Sequence, residues 1–488
     1  MNENFTAHLT KTGEIGFVER ALASLVYVDG LPGVRPQEVV MFESGELGLV
    51  TALGEETVEV LNFSKTAIRA GSRVARTGQL LEIPVGEELL GTVIDPLGNS
   101  IDDLKPLPYF AERRPIHVIP GGIQARARIT RQCETGVSLI DLILPLGKGQ
   151  RELIIGDQKT GKSHFLFRVL LSQVRQGAVG IYAVIGKSQL VIKQVVEGLT
   201  SRGILDRVIV VAAGADDAAG KIFLAPATAM TIAEYFRDQG RDVVVVLDDL
   251  TTHAKVYREI SLLGRRFPGR NSYPADIFYE HSRLLERAGN FLGPNGDVSI
   301  TCLPVAETVH GDLTGYIQTN IMSMTDGHIF FDHNLFIEGR RPAIDPFLSV
   351  TRVGRQTQSP LKQEITRTLV SFLRSVERLH SFTSFGAELG EHVQLMLAKE
   401  ERLLLFFDQT NYDVIAANVQ ILLFGMLWSD FWLKKTLNEI RGIFQQAGYF
   451  YETHPKFRER IDAFLMNISS LDALIAGLKK FDLVNELQ

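Results

Sequence analysis

Apolar positions along this chain change their period twice, and the three textures predict three kinds of structure. Up to about Val85 they alternate in short runs, as in Thr57-Val58-Glu59-Val60-Leu61, with glycine turns at Gly13, Gly30, Gly45, Gly54 and Gly71. Short alternating strands with frequent turns predict a small β-barrel. From Gly86 to about Arg355, apolar runs alternate with helical spacing, which predicts a mostly parallel sheet covered by helices. Val243-Val244-Val245-Val246-Leu247 reads as one of its strands, buried on both faces. After Ser359-Pro360, Leu369, Phe372, Leu373, Val376 and Leu379 fall at helical spacing, and much of the remainder follows suit. The predicted class is multidomain α/β: a barrel over 1–85, an α/β domain over 86–358 and an α-helical domain over 359–488.

Composition narrows the function classes. At 488 residues the chain is too long for one core, and 45% hydrophobic with 22% charged residues reads as ordinary soluble globular protein. A net charge of −6 and a pI near 6.0 argue against nucleic acid as the main partner. Cys133 and Cys302 lie far apart without metal-type spacing, which suits a reducing compartment and neither disulfide nor zinc. Met1-Asn2-Glu3-Asn4-Phe5 lacks the features of a signal peptide, and no apolar run approaches a membrane span. His164, His253 and His281 show no ligand spacing and read as structural or solvated.

The chemistry concentrates in Gly156-Asp157-Gln158-Lys159-Thr160-Gly161-Lys162-Ser163, a complete phosphate-binding P-loop. Leu153-Ile154-Ile155 leads into it as a strand, and Phe165, Leu166, Val169 and Leu170 continue behind it at helical spacing. In such a loop, backbone N–H groups and a helix N-terminus cradle the phosphates of ATP or ADP. Lys162 would reach the terminal phosphates and Ser163 would hold Mg²⁺. A glycine-rich strand-to-helix turn is the bland alternative. The run ending at Asp248 supplies context, because ligands gather at the carboxyl ends of such strands. Asp248 would hold the magnesium directly or through water, with Asp249 a turn residue or a second polar contact.

Further motifs carry a family resemblance. Pro84-Val85-Gly86-Glu87-Glu88-Leu89-Leu90-Gly91, Asp95-Pro96-Leu97-Gly98-Asn99, Pro268-Gly269-Arg270-Asn271-Ser272-Tyr273-Pro274, His281-Ser282-Arg283-Leu284-Leu285-Glu286-Arg287 and Arg341-Pro342-Ala343-Ile344-Asp345 recur together. With Ser349-Val350-Thr351-Arg352-Val353-Gly354, they make the chain resemble the alpha subunits of F-type rotary ATP synthases, from about Gly13 to the C-terminal helices. The resemblance implies a barrel, a RecA-like P-loop domain and a helical domain. It implies three alphas alternating with three catalytic betas around a gamma central stalk, held by a peripheral stalk. The complex would lie on the cytoplasmic face of a bacterial energy-coupling membrane and couple ATP synthesis or hydrolysis to transport of H⁺ or Na⁺.

The resemblance also assigns residues. In the betas the strand after the P-loop helix ends in glycine-glutamate, and that carboxylate activates water. Here the matching strand ends in Gly186-Lys187, and a cationic lysine is no base. The site is therefore expected to bind Mg-ATP without turning it over, with Lys187 otherwise read as a solvated strand-end charge. Arg352 matches the arginine that reaches the phosphates in the neighbouring beta subunit. Ser323 matches a serine near that interface or is a turn hydroxyl. Arg341, Gln409 and Asn411 match the adenine pocket, with asparagine where glutamine is usual. Gln158-Lys159 and Thr351 are further departures, as are the 12 residues before Gly13, fewer than the family's usual stator-binding helix. They suggest a divergent branch. A homohexameric motor would need the carboxylate that Lys187 replaces, and a vestigial scaffold would not keep Lys162, Ser163 and Asp248.

Overall fold

The computed structural model describes residues 3–101, 107–294, 296–383, 391–409, 414–429, 432 and 435–480. They divide into two compact units, one of 1–127, 178–308 and 312–325, the other of 128–177, 309–311 and 326–488.

In the first unit, strands β1 (Ile15–Ala21), β2 (Leu25–Asp29), β3 (Glu38–Phe42), β4 (Leu47–Leu53), β5 (Val58–Asn62) and β6 (Arg73–Leu80) close into a barrel of order β1-β2-β5-β4-β3-β6. Every barrel pairing is antiparallel. Val18, Val26, Val28, Val40, Phe42, Val50, Val60 and Val74 fill the interior, the outcome that period-2 alternation dictates. Closure leaves no edge strand to pair with another chain. A helix over Glu3–Thr12 precedes the barrel, and its Phe5 is fully buried against Met41 and Ala75. Gly13, at φ +70°, ends it by donating to the Leu9 carbonyl, in a backbone conformation glycine tolerates best.

The same unit holds five parallel strands in the order Gly296–Glu307, Val243–Asp248, Val179–Lys187, Val208–Gly214 and Val93–Ile94. Ile181 pairs Val245 on one side and Ile209 on the other. All six residues of Val243–Asp248 are buried, as expected for a strand covered on both faces. Helices Gln189–Ser201, Ala219–Asp238 and Leu250–Leu263 supply the cover.

In the second unit, strand Glu152–Gly156 runs parallel to Gly327–Phe331, and Val350–Thr351 pairs antiparallel to the start of the latter. Helix Lys162–Arg175 follows the first strand. The C-terminal part is helical over Pro360–Thr383, Glu391–Phe407, Ala417–Trp428, Leu437–Thr453, Pro455–Met466 and Leu471–Leu478. Ala417–Trp428 is apolar all round and buried along nearly its whole length, which makes it the centre of this bundle. Gly425 lets Leu474 and Leu478 close on it, since a Cβ there would lie 2.7 Å from Leu478. Thr436 and Glu439 cap each other reciprocally at the start of Leu437–Thr453. Among the described residues, no helix is long and apolar enough to cross a membrane.

Candidate nucleotide site

The phosphate loop is built as its sequence requires. Strand Glu152–Gly156 is buried throughout, and Gly156 sits so close to its neighbour that a Cβ would lie 2.4 Å from the Phe331 carbonyl oxygen. Lys159 at φ +61° and Gly161 at φ +95° bend the loop back, and Gly161 is the N-cap of helix Lys162–Arg175. That helix start leaves N–H groups without intrahelical partners. Phe165, Leu166, Val169 and Leu170 bury the helix's inner face and fix it behind the loop. Asp157 accepts from the Gly311 N–H at 2.9 Å, and its carbonyl accepts from the Thr160 hydroxyl at 2.7 Å.

The Lys162 ammonium donates to the carbonyls of Gly156 and Asp157 at 2.8 and 2.5 Å. It lies over the loop, where a phosphate oxygen would replace those weaker acceptors with a charged one. Ser163 is exposed on the first helical turn, and Gln158 and Lys159 are exposed at the loop tip. A glycine that admits no Cβ, a helix start and a convergent ammonium together fit a phosphate chain.

In the first unit, the end of strand Val243–Asp248 carries a buried charge cluster. Asp248 accepts from the Tyr182 hydroxyl at 2.9 Å and lies 3.6 Å from the Lys187 ammonium. Asp249, fully buried, bonds the same ammonium at 2.5 Å and caps helix Leu250–Leu263 through the Thr252 N–H. Glu307 is the third carboxylate on Lys187, at 3.0 Å. Gly186, at φ +62°, turns the chain toward the cluster, and a Cβ there would lie 2.6 Å from Thr252. Burial works against the lysine's charge, but Asp248, Asp249 and Glu307 together outweigh it and hold the pKa above the usual lysine value. The alternative of a solvated strand-end charge does not hold: Lys187 is a half-buried hub, only 19% of its side chain exposed. Its third partner lies 120 residues away, beyond the reach of local pattern.

Arg352 is exposed, and its guanidinium makes no hydrogen bond or ion pair among the described residues. Its backbone is fixed. The Arg352 N–H donates to the Asp326 carbonyl at 3.0 Å, while the Asp326 carboxylate takes both Nε and Nη2 of Arg151. Thr351 donates to the Pro145 carbonyl at 2.9 Å and accepts from the Gly354 N–H at 3.2 Å. Beneath it Gln150 donates to Glu152 at 2.6 Å. Burial raises the Glu152 pKa well above its ordinary value, opposed by the Gln150 hydrogen bond, and so favours the neutral carboxyl. Sequence reasoning missed this group. Ser323, exposed, donates to the Asn320 carbonyl of its own helix turn.

Of the residues expected at an adenine pocket, Arg341 lies with its guanidinium 3.7 Å from the Phe336 ring centroid and donates to the Phe336 carbonyl at 2.9 Å. It lines a cavity of about 430 Å³ with Pro342, Leu404, Phe407 and Asp408. Gln409 is buried, and its amide accepts from the Ser138 N–H at 2.7 Å and donates to the Gly136 carbonyl at 2.9 Å. Its backbone N–H donates to the Arg341 carbonyl at 2.8 Å, which ties the two positions together. Asn411 lies outside the described residues.

The motifs and this geometry agree with known proteins. The nucleotide-binding domain of the ATP synthase alpha/beta family matches residues 136–351. Over 422 residues the chain is 42% identical to an ATP synthase subunit alpha from Sulfurovum sp. (strain NBC37-1), an alignment spanning 86% of this chain and 83% of that protein. With a P-loop folded for phosphate and that likeness over most of its length, the chain belongs to the ATP synthase alpha/beta family, among its alpha subunits.

Proposed function

We propose that this chain is the noncatalytic, regulatory member of its complex: it binds Mg-ATP and lends Arg352 to the adjacent beta-subunit site. The observation that carries this reading is Lys187, an ammonium held by Asp248, Asp249 and Glu307 where a water-activating carboxylate would stand. A group so firmly protonated cannot take a proton from water. The backbone of Gly156–Ser163 and the Lys162 ammonium bind phosphate, and Ser163 supplies an oxygen for magnesium. Magnesium, when bound, neutralises phosphate charge. Arg341 and Gln409 belong to the base end, as does Asn411.

Arg352, fixed in backbone and free in side chain, suits a group that works on a neighbour's phosphates. Such an arginine contributes roughly 10³–10⁵ in rate by stabilising charge on the transferring phosphoryl oxygens. Around this chain we place an alternating ring with beta subunits, the gamma and peripheral stalks, and an ion-translocating sector at the cytoplasmic face of the membrane.

The test is ATP binding and hydrolysis by the purified chain, alone and then mixed with its beta and gamma partners. Binding without turnover alone, and turnover on mixing, is expected. Robust hydrolysis by the isolated chain would overturn the noncatalytic assignment.

A further inference from the structure

Glu152 is a buried acid with half of its carboxyl unanswered. The residue is 1% exposed; Gln150 donates to Oε2 at 2.6 Å, and Oε1 lies buried without a hydrogen bond. Strand pairing sets what covers it. Glu152 stands opposite Gly327 and Gly327 opposite Thr351, so the three positions share one face of the sheet. Gly327 makes room there, since a Cβ would lie 2.6 and 2.8 Å from the two carboxyl oxygens. The Gln150 amide that holds Oε2 also lies 3.4 Å from the Thr351 hydroxyl, and its oxygen accepts the Gly147 N–H at 2.8 Å. One buried amide thus touches both this carboxyl and the residue before Arg352. Two charges act on Glu152: the Asp326 carboxylate, which Arg151 engages, and the Arg352 guanidinium. His328, beside Gly327, gives its Nε2–H to the Leu348 carbonyl at 2.9 Å. Burial, with a smaller push from Asp326, opposes ionisation and outweighs the Gln150 hydrogen bond and the Arg352 charge.

We propose that Glu152 is a positioning residue for Arg352: its neutral carboxyl leaves the guanidinium available to the adjoining subunit, and its carboxylate draws the guanidinium back. On ionisation the proton goes to water, and Oε1 becomes a buried anion with no donor of its own. Arg352 is the group that can answer it. Its backbone is held by the Asp326 carbonyl, but its side chain is exposed and makes no hydrogen bond or ion pair among the described residues. The inference rests on the assignment of Arg352 to the neighbour's site, and its test separates the two.

Glu152→Gln keeps the shape of the neutral carboxyl and cannot ionise. Complexes assembled with beta and gamma subunits and carrying wild type, Glu152→Gln or Arg352→Ala are compared for ATP turnover from about pH 6 to about pH 10. Glu152 is neutral below its folded-state pKa, so wild-type kcat should fall as pH rises through that value, by about tenfold per pH unit, with KM unchanged. Glu152→Gln should lack that fall. Gln150→Leu is the second variant, which keeps the test open should Glu152→Gln fail to fold. It removes the hydrogen bond that favours the carboxylate, so the fall should move to higher pH. Unchanged turnover in Arg352→Ala would refute the assignment of Arg352 itself. Slowed turnover in Arg352→Ala, with one pH profile shared by wild type and Glu152→Gln, would refute the role of Glu152 alone. An unmoved fall in Gln150→Leu, or a fall carried by KM in place of kcat, would also overturn it.

Discussion

Replacing Lys187 by methionine tests the hub directly. The change keeps the length of the side chain and removes its charge, leaving Asp248, Asp249 and Glu307 facing one another while Tyr182 still donates to Asp248 and Thr252 to Asp249. Asp249 is fully buried, and the Asp248 and Glu307 side chains are 10% and 18% exposed. Removing one partner of such a buried cluster costs about 3–5 kcal/mol, against 1 kcal/mol or less for a solvated pair. Both tryptophans, Trp428 and Trp432, lie in the other unit, so their fluorescence is a poor reporter. Amide exchange read on peptides covering Val179–Lys187, Val243–Asp248 and Gly296–Glu307 is the appropriate assay. The expected loss translates into roughly 10²- to several-thousand-fold faster exchange in those strands. Lys193→Met is the control, because Lys193 and Glu197 are 73% and 64% exposed and their loss should barely register. Acidification should narrow the Lys187→Met deficit, since protonating a carboxylate relieves the repulsion that the ammonium had cancelled. Exchange within tenfold of wild type at neutral pH would refute the hub and return Lys187 to the surface.

The other expectations are briefer. Arg352→Ala should lower turnover of the assembled complex by ~10³-fold or more while leaving ATP binding by this chain intact; unchanged multisite turnover would remove the role. Lys162→Ala should weaken Mg-ATP binding by this chain far more than it slows chemistry at the neighbouring site, checked by titration and initial rates on the same preparation. His253, in contact with buried His281, has its pKa pulled by burial down to about 4. Below its unfolded value of about 6.5 the unfolded chain takes a proton that the folded one refuses, so stability should fall by ~1.4 kcal/mol per pH unit toward pH 4. Exchange measured from pH 7 to 5 should show a shallower decline in His253→Gln, and an identical decline would refute the assignment. Thr351→Val removes the hydroxyl that holds Pro145 and Gly354, and should lower complex turnover through Arg352, whereas Thr351→Ser should preserve it.

Local pattern carried the elements and the phosphate loop. Gly156–Ser163 was legible because spacing, strand and helix are all within a few residues, and Val243–Asp248 because burial on both faces leaves an unbroken apolar run. The barrel followed from alternation and turns. Helix Glu3–Thr12 was not, since two apolar side chains, Phe5 and Leu9, suffice to seat so short an element on the barrel. The burial of Lys187 was not legible for a different reason: its surroundings depend on Asp249 and Glu307, 62 and 120 residues along the chain. Gln409 shows the same limit, as the group its amide bonds, the Ser138 N–H, is 271 residues distant. Sequence spacing names a side chain, but only the fold decides what it faces.

The arrangement of the second unit gives one strand two duties. At its carboxyl end, Glu152–Gly156 opens into the phosphate loop, whose Lys162 is anchored on the carbonyls of Gly156 and Asp157. At its start, Glu152 takes the hydrogen bond of Gln150, and Gln150 accepts the Gly147 N–H close to the Pro145 carbonyl that Thr351 holds. Arg151, between them, grips Asp326, whose carbonyl fixes the Arg352 backbone. Burial disfavours the charged form of Glu152, and a neutral carboxyl attracts the Arg352 guanidinium less than a carboxylate would. Burial of Glu152 therefore does more than fill space. Raising the Glu152 pKa weakens its pull on Arg352, whose guanidinium makes no ion pair among the described residues, as the role proposed for it at a neighbouring site would require.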